Sequence, residues 1–169
     1  MKTWIVLGLA AVLAGCNVNA DRNWSHISTT YDMSSDSGGV KVHNRLVLSD
    51  YVMRSALGGN PVTAAYVTIR NEGSGPDRLV SASCTCATTA SLHAMVMQAG
   101  DMVMAEPKDG FPVAPGQTLV FAPGGNHIML SGLKTRPQAG GVEAVILHFE
   151  KAGDLKLLMP VSDTPQAGK

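Results

Sequence analysis

The chain has 169 residues, 13 Lys+Arg against 13 Asp+Glu, and 45% hydrophobic against 15% charged residues. That suits one folded domain and excludes a disordered chain. Zero formal charge without a basic run excludes a nucleic-acid footprint, and 5% aromatics excludes a platform for stacking bases or sugars. Methionine departs from this ordinary balance: there are nine, and five of them fall between positions 95 and 129.

The chain opens MKTWIVLGLAAVLAGC. Lys2 supplies a positive start, and residues 4–13 form an apolar stretch too short to span a bilayer. This is the layout of an export signal. Leu13-Ala14-Gly15-Cys16 resembles a bacterial lipobox, which implies that the signal segment ends there, with Cys16 lipidated and left by cleavage as the new N-terminus. Val18-Asn19-Ala20 offers an alternative, unlipidated cleavage site. Asn17 and Val18 stand where an Asp would signal inner-membrane retention, so the expected location is the periplasm, anchored at the outer membrane. Residues 17–39 are polar and rich in Ser, Asp and Asn, and read as a tether reaching about 25–30 Å.

From residue 40 to 169 the texture is that of a β domain. Strands are predicted at 40–48, 51–54, 62–70, 78–83, 91–97, 102–106, 118–121, 127–130, 142–149 and 155–161. Gly- and Pro-rich turns separate them, among them GGNP at 58–61, NEGSGPD at 71–77 and PQAGG at 137–141. Many short strands at this spacing predict an all-β sandwich or barrel. No amphipathic helical stretch and no internal repeat interrupts the pattern.

Residues 91–106, SLHAMVMQAGDMVMAE, read as a hairpin turning at Ala99-Gly100. Counting back from that turn sets Met97 opposite Met102, Met95 opposite Met104 and His93 opposite Glu106. Side chains alternate along a strand, so His93, Met95, Met97, Met102 and Met104 share one face. A one-residue slip would scatter them. Later, His127 and Met129 share a face of their own strand. Thioether sulfur is soft and neutral and binds Cu(I) far better than hard cations, and imidazole suits copper in either oxidation state. Methionine also cannot be lost to a disulfide in an oxidising compartment. The alternative is that the methionines are core packing and the histidines are bonded within the protein.

His93, ten residues, Met104, then His127-x-Met129 resembles the His-x10-Met…His-x-Met signature of the PCuAC copper chaperones. The stretches Ala64-Ala65-Tyr66-Val67-Thr68-Ile69-Arg70-Asn71, Asp77-Arg78-Leu79-Val80, Gly124-Gly125, Gly132-Leu133-Lys134 and Phe149-Glu150-Lys151-Ala152-Gly153 resemble that family as well. The resemblance covers residues 48–161. It implies a cupredoxin-like Greek-key β-sandwich, and one Cu(I) held by His93, Met104, His127 and Met129. It further implies a monomeric, non-enzymatic carrier that delivers copper to an acceptor, either a cytochrome c oxidase subunit or another copper chaperone. Met95, Met97 and Met102 are candidate accessory ligands.

Cys84-Thr85-Cys86 precedes the hairpin. A disulfide, free thiols and an accessory Cu(I) thiolate site are all open from the sequence, although on a straight strand the pair makes a poor disulfide. His148 reads as a half-buried surface histidine, and His26 and His43 lie in or near the tether. A blue-copper centre needs a Cys ligand beside its histidines, and none immediately precedes His127. Hydrolase motifs such as GxSxG and HExxH are absent.

Overall fold

The computed structural model describes residues 39–166, so Cys16, the signal segment and all of the tether but Gly39 lie outside the described residues. The elements run β1 Lys41–His43, β2 Leu46–Arg54, β3 Val62–Asn71, β4 Asp77–Cys84, β5 Ala87–Gln98, β6 Asp101–Ala105, β7 Phe111–Val113, β8 Thr118–Phe121, β9 His127–Leu133, β10 Val142–Phe149 and β11 Gly153–Ser162. No helix occurs among the described residues.

One sheet carries β6-β5-β9-β3-β2, with β1 on β2 and β8 beside β9 along the length of β3. The other carries β11-β10-β4-β7. A short parallel pairing, Val161 to Met53 and Ser162 to Arg54, joins them. The chain passes between sheets at β3–β4, β4–β5, β6–β7, β7–β8 and β9–β10. This is the all-β single domain that the strand spacing predicts, with the cupredoxin-like arrangement that the family resemblance implies.

Alternation builds the core. In β11, Leu155, Leu157, Met159 and Val161 are buried, and the residues between them are not. Leu48, Ile69, Leu79, Phe121, Ile128, Leu130 and Leu147 meet them, each under 2% exposed. Methionine does enter this core, but as Met53 and Met159, not as the five of the cluster.

Three local features differ from expectation. The predicted strand at 40–48 is a hairpin, because Asn44 and Arg45 take φ of 45° and 66° and turn the chain between β1 and β2. Segments 46–48 and 51–54 instead form one strand, bent at a bulge where Asp50 has φ 51°. β7 is an unpredicted strand, with Pro112 opposite Arg78 on the outer strand of its sheet, where a missing N–H breaks no inner ladder.

Two of the stretches that carry the family resemblance are clasps. Asn71 is 2% exposed. Its Nδ2 donates to Gly75 O at 2.9 Å and Val113 O at 2.8 Å, and its Oδ1 accepts from Gly73 N at 2.9 Å. The Asp77 carboxylate accepts from the backbone N–H groups of Arg78, Lys151 and Ala152, tying β4 to the β10–β11 turn. Gly132 has φ 65°, and a Cβ there would stand 2.8 Å from Thr88 Oγ1, so glycine lets β9 approach β5.

Candidate metal centre

The β5–β6 hairpin has the expected register. Ala99 and Gly100 take φ of 53° and 99° and form the two-residue turn. Met97 then pairs with Met102 and Met95 with Met104. On the other side of β5, β9 pairs His127 with His93 and Met129 with Ser91. β5 therefore lies between its partners with Met97, Met95, His93 and Ser91 along one face. β6 contributes Met102 and Met104 to that face, and β9 contributes His127 and Met129. Leu92, Ile128 and Leu130 point the opposite way, into the core.

This face is not core packing. Met104 is 53% exposed, Met102 54% and Met97 66%. Met95 and Met129 are half-buried. Exposed thioethers at a sheet end contribute little to folding by burial, and the accessible sulfurs are free to meet an ion.

The two imidazoles stand edge to face with ring centroids 5.2 Å apart. His127 Nδ1 lies 3.0 Å from Gly125 O, and a carbonyl only accepts, so Nδ1 carries the proton and Nε2 holds a lone pair. His93 Nε2 lies 3.0 Å from Ser91 Oγ. His93 Nδ1 and Thr68 Oγ1 are the two buried side-chain polar atoms without a hydrogen-bond partner among the described residues. A proton on His93 Nδ1 would be buried and unpaired, whereas a proton on Nε2 donates to Ser91 Oγ. The favoured tautomer therefore leaves a bare lone pair on His93 Nδ1. Both histidines thus have one nitrogen anchored and one unpaired, the arrangement in which an outer partner orients a metal ligand.

Burial holds the His93 pKa below the ordinary imidazole value, and the adjacent His127 adds to the effect. Glu106, just past the end of β6, opposes it. The neutral, ligating form of His93 therefore persists further into acid than that of a free histidine.

The other candidates fall elsewhere. Cys84 and Cys86 are bonded to each other, with Cα atoms 5.2 Å apart. β4 ends at Cys84 and the chain turns before β5, so the sulfurs do not lie along a straight strand, and the objection to this disulfide does not apply. In this form they offer no thiolate, and Glu143 beside them completes no soft site. Seven residues of chain, about 23 Å of strand, separate Cys86 from His93, and Cys84 lies two residues further back. The disulfide also withholds the thiolate ligand that a copper redox centre would need. His148 bridges Ser83 and Asp154 on the outer face of the second sheet, at 2.9 and 2.7 Å. His43 Nε2 donates to Ala152 O. Ser91 is the contributor that the sequence reading passed over, although it stands two residues from His93 on the same face.

Residues 46–161 match the model of the LpqE-like family, which is named for a lipoprotein. A Leifsonia xyli subsp. xyli protein that carries a lipoprotein name, Lxx21020, is 40% identical over 105 residues. That match spans 62% of this chain and 63% of the relative's length. The copper-bound PCuAC domain from PmoF2 superposes with a TM-score of 0.63 at 21% identity, covering 75% of this chain and 99% of that one. The Cu(I) form of DR1885 from Deinococcus radiodurans superposes with a TM-score of 0.54 at 25% identity, covering 78% and 84%. The shared fold is that of the PCuAC domains.

Proposed function

The chain belongs to the LpqE-like family, and on that premise we propose that it is an extracytoplasmic, lipid-anchored Cu(I) carrier. One observation carries the reading. Two histidines pair across adjacent strands, each with one nitrogen anchored and the other bare, beside thioethers left in solvent. His93 Nδ1 and His127 Nε2 would supply the nitrogen ligands, and Met104 and Met129 the sulfurs. The likeness to copper-bound PCuAC structures supports the choice of metal.

Transfer proceeds by ligand exchange. Four neutral ligands near the surface hold a monovalent soft ion without burying it, so an acceptor's sulfurs replace them one at a time while copper stays Cu(I). The acceptor is a copper-receiving partner such as a subunit of cytochrome c oxidase during assembly, or a second copper chaperone. Lipidation of Cys16 would keep the carrier at a membrane, the outer membrane in preference to the inner, and the tether would hold the domain clear of it. The chain acts as a monomer and catalyses no reaction.

The test is an anaerobic Cu(I) competition titration against a chromophoric chelator. One equivalent should bind tightly to the parent and be lost in His93→Ala and His127→Ala. Full affinity in the Met104→Leu, Met129→Leu double variant would refute the ligand set.

A further inference from the structure

Among the described residues, Met97 and Met102 are the most exposed methionines of the face, at 66% and 54%, and they pair directly beside the turn. A hairpin tip ordinarily carries polar side chains, and the rest of this one does, with Gln98 and Asp101 flanking Ala99-Gly100. Two large apolar residues there contribute nothing to the core, which closes on Leu92 further back along β5.

Register sharpens the point. A two-residue turn makes Gln98 and Asp101 a hydrogen-bonded pair, so Met97 with Met102, and Met95 with Met104, both occupy non-hydrogen-bonded rungs. Side chains approach most closely on those rungs, with Cβ atoms about 4.5–5.5 Å apart. Each rung can bring two flexible thioethers onto one ion. Successive rungs stand about 7 Å apart along the strands. The face is thus a ladder: Met97/Met102, then Met95/Met104, then His93/His127.

We infer that Met97 and Met102 form a second, weaker soft-metal site that captures Cu(I) at the hairpin tip and passes it inward to the histidine pair. Two neutral thioethers make a labile site, fit for passage and not for storage. In each step a Cu–S bond to the outer rung breaks as a bond to the next rung forms. Copper remains Cu(I), and no proton or electron moves. This inference rests on the copper-carrier reading and extends it to the route of entry.

The test is a titration of the full-length chain, labelled with 13C at the methionine methyls, with Ag(I) as a redox-inert stand-in for Cu(I). The first equivalent should shift the Met104 and Met129 methyls, and the second should shift Met97 and Met102 together. In the Met97→Leu, Met102→Leu variant, the second equivalent is lost, the first is kept, and loading from a Cu(I)-chelate donor slows. Leucine keeps the tip apolar, so a general effect of hydrophobic contact would survive it. Met97 and Met102 methyls that stay still through the second equivalent would overturn the tip site alone, as would a second equivalent retained in the variant. Failure of the first equivalent to move Met104 and Met129 while the tip pair responds would instead overturn the ligand set of the carrier and leave the tip site standing.

Discussion

Ser91→Ala separates orientation of a ligand from stability of the fold. The hydroxyl of Ser91 accepts the Nε2 proton of His93 at 3.0 Å and so keeps the lone pair on Nδ1, beside His127. Without it, both nitrogens of His93 lack a protein partner, the ring is free to rotate, and the tautomers approach equal population. Loss of such an outer partner lowers metal affinity by about 10–100-fold, or about 1.4–2.8 kcal/mol. Folding should respond far less. Ser91 is only half-buried, and one neutral hydrogen bond of this kind contributes about 0.5–1.5 kcal/mol net, less where water can replace it. The assay pairs Cu(I) competition titration with urea unfolding of the metal-free chain. Affinity should fall by at least tenfold while the unfolding midpoint moves little, and Ser91→Thr, which keeps the hydroxyl, should restore binding. Unchanged affinity, or a loss of stability as large as the loss of binding, would refute the reasoning.

The part of the acid loss of Cu(I) affinity that comes from protonating His93 should set in below the ordinary imidazole value of about 6.5, because the His93 pKa is depressed. The same depression makes the folded chain bind a proton at His93 less readily than the unfolded chain, so this group leaves stability intact above about 6.5 and subtracts from it as pH falls below. Titrations of affinity and of unfolding midpoint between neutrality and pH 4 check both signs. Asn71→Ala removes three hydrogen bonds from a buried loop. At about 0.5–1.5 kcal/mol each it should destabilise by roughly 2–4 kcal/mol, seen as a lower urea midpoint at unchanged slope, with one-to-one Cu(I) binding retained. Replacing both Cys84 and Cys86 by Ser opens a loop closed by residues two apart. Chain entropy makes this about 1.5 kcal/mol of stability, and Cu(I) affinity should not change. A drop in affinity there would restore the cysteines to the metal site.

The hairpin is legible in the sequence because its determinants are local. A two-residue turn at Ala99-Gly100 and strict alternation place five side chains on one face without reference to the rest of the chain. His127 and Met129 share a face for the same reason. The break at Asn44-Arg45 was hidden because neither residue is glycine, and β-branched neighbours carry the strand pattern across it. β7 was hidden because three residues around a proline carry little periodicity.

What the sequence determined by itself was which residues could meet: soft ligands at strand spacing, on a chain patterned as a β-sandwich. Which of them do is set by long-range strand pairing. The pairing of His93 with His127 joins β5 to β9 across 34 positions, and no local rule sets that register. Exposure was equally beyond reach, since a methionine stripe reads the same whether a second sheet covers it or not. Here the sandwich closes on Leu92 and Ile128. Met97, Met102 and Met104 beyond them stand in water, and the histidines sit at the boundary, where one nitrogen of each is anchored and the other is bare.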